Sequence, residues 1–347
     1  MKVHDSSASF RLFQIMAGAR HGGAELFFER LALAFHEQGM KQHLYIKNHP
    51  ERLKQLAGAG IMLTPASFSP RTRLFERHKL KKAITAFESD VVLSWMNRAT
   101  SFTPQIKQTH VARLGGYYDL KYYRKCDWLV ANTKGIADYL VQQGWPAHKT
   151  HHQVNFVPDG TKVQPIVLPA DAKNKLILAS LGRLHKNKGF DVLIKAIAGL
   201  KDVYLLLAGD GPEKPALQQL AAEQHLTDRI CFLGWQDNPQ AVIKAADIFI
   251  CPSRHEPFGN VIAEAFATNR PVIATASQGA REFINADTDG LLVDVDDTGQ
   301  LADAIKILMT DERQRKKLAS AGHKSWQASF TKQAVTQNWI RFLKEVA

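Results

Sequence analysis

Short apolar runs alternate with helical stretches through the second half of the chain, and this alternation constrains the fold more than any other feature. KLILASLG, VYLLLAG, ICFLGW and IFICPS are each followed by a segment whose apolar residues have helical spacing. Such alternation is typical of parallel strands joined by crossover helices, which together build a doubly wound α/β sheet. Ligands of these sheets bind beyond the carboxyl ends of the strands.

The first half shows a less regular form of the same pattern. FRLFQIM, HLYI, VVLSW and WLVANT read as strands, and a glycine turn precedes the helical stretch AELFFERLALAFHEQG. The turn-rich segment VPDGTKVQPIVLP favours a domain boundary near residues 158–169. We predict two Rossmann-like domains, at 1–165 and 166–325, that face each other across a cleft. A helical segment at 326–347 is predicted to pack back towards the first domain.

Length and composition fit a cytosolic protein of two domains. The chain has 347 residues and 45% hydrophobic content, which is enough for two cores. It has no apolar run of the roughly 18 residues that a membrane span needs, and its start does not have the form of a secretion signal. The cysteines lack a CxxC pair, so neither a disulfide nor a zinc site is expected.

Positive charge is concentrated in the first half of the chain. Residues 1–165 carry 23 Lys and Arg against 12 Asp and Glu, a net charge of +11, whereas residues 166–347 carry 22 against 21. The segment RTRLFERHKLKKAITAF is predicted to form a helix with one apolar side, because of the spacing of Leu74, Phe75, Leu80, Ile84 and Phe87. Its basic residues are Arg71, Arg73, Arg77, Lys79, Lys81 and Lys82. It is either a solvated helix face or a surface for anionic lipid headgroups or a phosphorylated acceptor. Nucleic acid is not expected, because no recognition helix or RNA-binding signature is present.

Two glutamates flank a turn that opens a helix. In CPSRHEPFGNVIAEAFA, Glu256 lies in the predicted loop and Glu264 on the helix that follows. Carboxylates can hold hydroxyl groups at two points while the N-H groups of the helix N-terminus face an anion between them, which suits a sugar nucleotide. A glycosidase with an acid and a nucleophile is the alternative, but it gives no reason for the basic loop described next.

GRLHKNKG directly follows the first strand of the second half. Its Arg183 and Lys188 lie on either side of a glycine-bounded turn, which suits two cations that converge on a diphosphate. AGDGP, with Gly209, is either a simple turn or a wall of the donor site. Asp294 and Asp296 imitate a metal-binding DxD motif, but they end a strand where acidic turn residues are common, so no metal is predicted.

The ordered set GRLHKNKG, LAGDGP, FLGW, HEPFGNVIAEA and GLLV resembles the retaining family 4 glycosyltransferases of GT-B architecture. Weaker matches occur at HGGAE and LVANTKGI. The resemblance implies metal-independent transfer of a sugar from a UDP, GDP or ADP donor, without a cofactor. The implied acceptor is a cell-envelope glycan or a lipid-linked molecule of the lipopolysaccharide or exopolysaccharide type, reached at the cytosolic face of the membrane.

The resemblance also implies roles for individual residues. Arg183 and Lys188 would neutralise the departing diphosphate, Glu256 would contact the transferred sugar, and Glu264 would bind the ribose. The nucleobase would lie near residues 233–236. The implied donor-binding residues are Gly22, Gly23, Arg183, Lys188, Gly209, Trp235, Glu256, Phe258, Gly259, Asn260 and Glu264.

One departure from the family pattern lies in VARLGGYYD. Many members carry a histidine followed by glycine near the acceptor, whereas this chain has Gly115 there. His110, five residues earlier, reads as an ordinary polar residue. Front-face attack, in which the donor phosphate takes the acceptor proton, does not require a protein base. The candidates for acceptor contacts are Arg113, Tyr117, Tyr118 and Asp119.

Two other functions remain open from the sequence. A sugar-nucleotide epimerase or hydrolase could use the same architecture, although it would need further acid and base groups. A basic protein that binds anionic lipid or nucleic acid without catalysis is the alternative outside enzymes.

Overall fold

The computed structural model describes residues 10–20 and 22–347, which form two compact units. Of the described residues, those at 10–20, 22–155 and 332–347 belong to the first unit, and the second comprises Phe156–Thr331. His21, in the HGGAE match, lies outside the described residues.

In the described part of the chain, the first unit is built on a seven-stranded parallel sheet in the order β3-β2-β1-β4-β5-β6-β7. Its strands are β1 (Arg11–Met16), β2 (Lys41–Lys47), β3 (Met62–Ala66), β4 (Val91–Trp95), β5 (Thr109–Leu114), β6 (Trp128–Ala131) and β7 (Thr150–His152). Its helices include α1 (Gly23–Glu37), α2 (Pro50–Gly58), α3 (Arg73–Ala86), α4 (Met96–Phe102) and α5 (Lys134–Gln142).

The second unit repeats this plan with a six-stranded parallel sheet in the order β10-β9-β8-β11-β12-β13. Its strands are β8 (Leu176–Leu181), β9 (Val203–Ala208), β10 (Ile230–Gly234), β11 (Ile248–Cys251), β12 (Val272–Thr275) and β13 (Leu291–Val293). Its helices are α6 (Phe190–Ala198), α7 (Lys214–Glu223), α8 (Pro239–Ala245), α9 (Asn260–Ala267), α10 (Gln278–Phe283), α11 (Thr298–Thr310) and α12 (Glu312–Ser329). Both sheets reverse their strand order beside the first strand, so the prediction of two doubly wound Rossmann-like domains is confirmed.

Apolar strands explain why both units take this form. Helices cover both faces of a parallel sheet, so its strands are continuous apolar runs rather than alternating ones. All six residues of β9, VYLLLA, are buried, and so are nearly all residues of β8 beside it and of β11, which lies on the other side of β8. At the edge of the first sheet, β3 is less protected, and Met62 there is 57% exposed. Among the described helices, none is long and apolar enough to cross a membrane.

The boundary between the units lies at Asn155 and Phe156 rather than at residue 165. Residues 156–165 belong to the second unit because their backbone bonds to it. Val157 N donates to Phe330 O at 3.0 Å, and Gly160 N donates to Ala267 O at 3.2 Å. These partners are distant in sequence, so turn composition alone could not locate the boundary.

Helix α13 (Lys332–Glu345) packs on the first unit. Lys332 forms an ion pair with Glu37 at the end of α1. The Phe342 ring stacks on His151 with 4.0 Å between ring centroids and meets the edge of Trp128 at 5.8 Å. Residues 326–331, which were also predicted to pack on the first domain, belong to the second unit instead. There the Trp326 indole donates to Val157 O at 3.0 Å.

His110 is buried in β5 and serves the sheet. Its Nε2 lies 2.9 Å from Ser94 Oγ, and burial lowers the pKa of its imidazole to about 4. The ring is therefore neutral at physiological pH and acts as a polar link between β4 and β5.

A close approach between α9 and α12 generates a stability prediction. A Cβ added to Gly322 would lie 2.5 Å from the Phe266 ring, so Gly322→Ala should force a shift in a filled core and destabilise the second unit by about 1–3 kcal/mol. Gly58→Ala is the matched control, because Gly58 is also helical and has nothing within 4 Å of its added Cβ. Thermal unfolding of both variants checks this, and equal melting temperatures would contradict it.

Candidate functional site

Loops at one edge of the second sheet carry most of the residues that the sequence analysis selected. All strands of this sheet are parallel, so their carboxyl ends meet at a single edge. The loop 182–189 follows β8, the loop 209–213 follows β9, and the loop 252–259 follows β11. Because β11 pairs directly with β8, the first and third of these loops are neighbours.

Backbone contacts hold the β8 and β11 loops together. Gly189 has a left-handed φ of 64°, and a Cβ added to it would lie only 2.0 Å from Pro252 O. His255 N donates to Asn187 O at 3.2 Å. Only glycine permits this approach at 189, because any side chain would separate the two loops.

The contact between the loops brings Lys188 and Glu256 together as an ion pair. Their side chains are 22% and 11% exposed, and Ser253 Oγ lies 3.5 Å from the same Glu256 oxygen. Burial is the largest single effect on the pKa of Lys188 and lowers it, but the Glu256 carboxylate and Cys251 together raise that pKa above its ordinary value, so the ammonium group stays charged. Both residues were predicted as site residues from the sequence, and the structure shows that they bind each other.

Arg183 differs from Lys188 although both lie in the same loop. Its side chain is exposed, and it has no ion-pair partner among the described residues. Of the two predicted cations, Arg183 is therefore the one whose charge is not matched by a carboxylate of the protein.

Arg254 joins three loops of this edge, and the sequence analysis missed it. Its guanidinium donates to both carboxylate oxygens of Asp191, at 2.8 and 2.7 Å, and to Asp296 Oδ1 at 2.6 Å. It also donates to Lys186 O at 2.7 Å. Bonds to Asp191 and then to Asp296 raise the pKa of Arg254 above its ordinary value, although burial opposes them. Asp191 in the first turn of α6 thus serves to bind Arg254, and the bonds of Arg254 attach the β11 loop to its neighbours.

The DxD-like residues have partners within the protein. Asp296 binds Arg254, and Asp294 Oδ2 accepts from Gln300 Nε2 at 3.0 Å. Across residues 10–20 and 22–347, no group of three or more His, Cys, Asp or Glu side chains could hold a metal ion.

Helix α9 begins directly after the β11 loop. Gly259 caps it with a left-handed φ of 83°, and Gly279 N donates to Glu256 O at 2.8 Å, which fixes the turn. The Phe258 ring is buried against Phe283 with 4.6 Å between centroids. Glu264 is 3% exposed and lies one helical turn after Asn260, so both residues share a face of α9. The structure thus places a buried carboxylate close to a helix N-terminus.

The loop after β9 contains Gly209, which has a structural explanation. A Cβ at Gly209 would lie 1.8 Å from Gly182 O, and Gly209 N donates to Gly234 O at 2.7 Å. Gly209 therefore lets the β8 and β9 loops approach each other, whether or not it contacts a ligand. Trp235, after β10, is 55% exposed, and its indole donates to Asp237 Oδ1 at 3.0 Å.

The glycine turn before α1 encloses a carboxylate of its own. Glu25 in the first turn of α1 is 8% exposed, and its Oε1 accepts from Ala19 N at 2.8 Å. A Cβ on Gly22 would lie 2.3 Å from Glu25 Oε2. Glu25 thus accounts for Gly22 within the first unit, and the predicted approach of Gly22 and Gly23 to a donor phosphate stays a prediction.

The four acceptor candidates after β5 have different surroundings. Tyr117 meets the edge of Tyr139 at 5.3 Å, and Asp119 is half exposed and forms an ion pair with Lys121 at 2.8 Å. Arg113, in contrast, is 1% exposed, with one hydrogen bond to Asn155. The Tyr118 ring covers Gly116, and a Cβ added there would lie 3.3 Å from its Cζ. Local contacts explain Tyr117, which packs on Tyr139, and Asp119, which pairs with Lys121. They do not explain the buried Arg113.

Comparison with known proteins shows which family this chain resembles. A model of the family described as Glycosyl transferases group 1 matches residues 168–325. The chain is 35% identical to a protein of Rhizobium meliloti (strain 1021) named lipopolysaccharide core biosynthesis glycosyltransferase LpsE, over 93% of this chain and 96% of that protein. It is 33% identical to LpsD of the same organism, over 92% of this chain and 94% of that protein.

Solved structures show the same fold. Anabaena Alr3699/HepE in complex with UDP and glucose has a TM-score of 0.84 at 21% identity, covering 97% of this chain and 100% of that one. A glycosyltransferase from Rickettsia africae ESF-5 also has a TM-score of 0.84, at 20% identity, covering 98% and 99% of the two chains. These likenesses agree with the GT-B fold expected from the sequence.

The contact at Gly189 predicts an unequal effect of two glycine substitutions. Gly189 and Gly234 have nearly the same φ, 64° and 68°, but a Cβ added to Gly234 has nothing within 4 Å. Gly234→Ala should lower the free energy of unfolding by about 1–2 kcal/mol, which is the ordinary cost of a side chain in the left-handed conformation. Gly189→Ala should lose at least about 2 kcal/mol more, because the β8 and β11 loops must separate. Calorimetric unfolding measures both, and equal losses would show that the loop contact does not constrain the unit.

Proposed function

Because this chain belongs to the group 1 glycosyltransferases, we propose that it transfers a sugar from a nucleoside-diphosphate donor to a cell-envelope glycan or lipid-linked acceptor. The observation that carries the proposal is the Lys188–Glu256 pair, which lies next to the N-terminus of α9 and in the same loop layer as the exposed Arg183. The LpsE and LpsD relatives are named for lipopolysaccharide core biosynthesis, which supports an acceptor of the lipopolysaccharide type.

Stabilisation of the leaving group is the main electrostatic task in this reaction. Negative charge grows on the diphosphate as the bond to the sugar breaks, and preorganised cations and helix N-H groups stabilise that charge. Arg183 supplies an unmatched positive charge, and Lys188 supplies a second one next to the sugar-binding carboxylate. These groups support a metal-independent reaction, in which Asp294 and Asp296 stay bound to Gln300 and Arg254.

Glu256 fits a binding role better than that of a general base. Its carboxylate already bonds to the Lys188 ammonium group, and its remaining lone pairs can accept hydroxyl hydrogens of the transferred sugar. The acceptor would attack from the face that the diphosphate leaves, and a phosphate oxygen would take the acceptor proton. The anomeric configuration is then retained without a protein base.

The nucleoside would use the neighbouring residues. In the proposal, Glu264 on α9 accepts hydrogen bonds from the ribose, and the base lies near the exposed Trp235. HepE was crystallised with UDP and glucose, so UDP-glucose is the first donor to test. This part of the proposal does not depend on the identity of the acceptor.

Substitution at the ion pair tests the proposed function. Lys188→Met and Glu256→Gln should each reduce the turnover number for UDP release from UDP-glucose and acceptor by roughly 100-fold or more, since one preorganised group at the developing charge is lost. Lys186→Met is the control, because this exposed lysine lies in the same loop. Wild-type activity should persist in EDTA. Full activity of Lys188→Met would refute the proposal, and UDP release that needs no acceptor would favour a hydrolase.

A surface on α3 supports a second proposal, that the enzyme meets its acceptor at an anionic bilayer. Leu74 and Phe75 are 84% and 60% exposed, whereas Leu80 and Ile84 are buried in the first unit. The prediction of one apolar side for this helix is therefore wrong. Two of its apolar residues lie in the core and two extend into solvent. Lys79 lies 4.4 Å from the centroid of the Phe75 ring.

Basic residues lie in the same segment as the two exposed apolar side chains. Arg71, Arg77, Lys81 and Lys82 belong to the same segment and are exposed or half-buried, while Arg73 donates to Ser101 O at 2.9 Å. Each basic residue near an anionic bilayer contributes about 1 kcal/mol of attraction, and buried apolar side chains add to it. The complement of this surface is therefore a membrane rich in acidic phospholipid.

Vesicle binding tests this surface. Wild-type protein should sediment with vesicles of phosphatidylglycerol but not with vesicles of phosphatidylcholine. The double variant Leu74→Ser/Phe75→Ser should bind the acidic vesicles roughly 10-fold more weakly, because two apolar insertions are lost. Val167→Ser is the matched control, since Val167 is an exposed apolar residue of the second unit. Unchanged binding of the double variant would exclude this helix as the contact.

A further inference from the structure

Arg113 at the end of β5 is a buried charge whose hydrogen-bonding capacity the protein does not use. Its side chain is 1% exposed, and Nη2 donates a hydrogen bond to Asn155 Oδ1 at 2.7 Å. Nε and Nη1 are buried and have no hydrogen-bond partner within the described residues. A buried guanidinium that lacks partners is costly, so its retention calls for an explanation.

Aromatic rings hold the guanidinium in position without matching its charge. The Arg113 Cζ atom lies 5.5 Å from the centroid of the Phe27 ring and 5.4 Å from that of the Trp95 ring. In the described part of the chain, no carboxylate lies within ion-pair distance of Arg113. Burial lowers the pKa of Arg113 to about 10, so the side chain is still cationic at neutral pH. An oxyanion is the natural partner of such a group.

Gly115 leaves the space next to this cation without a side chain. A Cβ added to Gly115 would lie 2.6 Å from Arg113 Nη1, so the guanidinium occupies the volume that any larger residue would take. Gly115 itself is partly exposed, and the half-buried Tyr118 ring lies over the adjacent Gly116. The unpaired Nη1 therefore lies close to the Gly115 backbone, and the Tyr118 ring lies against the next residue.

We propose that Arg113 binds a negatively charged group of the acceptor, a carboxylate or a phosphate, over Gly115. The inference rests on the proposed function, because it treats the first unit as the part that binds the acceptor. The donor diphosphate has its own candidate cations in the second unit, at Arg183 and Lys188. An acidic acceptor thus explains a second, separate cation in this chain, and Tyr118 must move aside for the acid to reach Nη1.

Binding measurements with simple anions test this proposal without an acceptor. The probes are glucuronate, glucose 6-phosphate and neutral glucose, titrated by calorimetry into protein saturated with UDP, so that the donor phosphate site is filled. Wild-type protein should bind one or both anions and not glucose. Arg113→Gln should weaken anion binding at least 10-fold and leave UDP affinity unchanged, while Arg113→Lys should keep part of it. The two anions distinguish a sugar acid from a phosphorylated sugar.

Gly115→Ala provides a second, independent test of the anion site if Arg113→Gln does not fold. Its added Cβ meets the end of a flexible side chain, so the fold should survive while the guanidinium is displaced. It should weaken anion binding as Arg113→Gln does, whereas the control Lys121→Gln, at an exposed lysine, should not. Unchanged anion binding in folded Gly115→Ala, or no anion binding by the wild type, would overturn the proposal. Failure of wild-type protein to bind UDP would instead count against the proposed function.

Discussion

Parallel strand pairing is the constraint on which the candidate site depends. It brings the carboxyl ends of β8 and β11 to one edge, although the loops that follow them are far apart in sequence. The close approach of Gly189 to Pro252 O then fixes the distance between the loops. Lys188 and Glu256 meet as a consequence, and neither residue could form the site from its own loop alone.

The distribution of charge differs between the two units. At the sheet edge of the second unit, Lys188 is bound to Glu256 and Arg254 is bound to two aspartates, so the loops are held rigid before any ligand arrives. Preorganised charge of this kind needs little rearrangement when a substrate binds. In the first unit, Arg113 is buried with unused donors, so a ligand there would complete a polar network that the protein leaves unfinished.

Local patterns predicted the strands, the loops and the acidic pair, because apolar runs and glycine turns are properties of contiguous sequence. The Arg254 network was not predictable in this way, since Asp191 is 63 positions from it and Asp296 is 42 positions away. The packing of Glu25 against Gly22 was also unforeseen, because a glycine turn does not show which side chain lies against it. Similarly, helical spacing on α3 could not reveal that Leu74 and Phe75 extend beyond the part of the helix that the sheet covers.

Helix α13 has a consequence for how the chain acquires its structure during synthesis. The second unit is one continuous segment, Phe156–Thr331, and can fold once that segment has left the ribosome. The first unit is synthesised earlier, yet it lacks the Trp339 and Phe342 side chains until α13 has emerged. The surface around Trp128 and His151 that Phe342 contacts therefore stays uncovered until α13 has been synthesised.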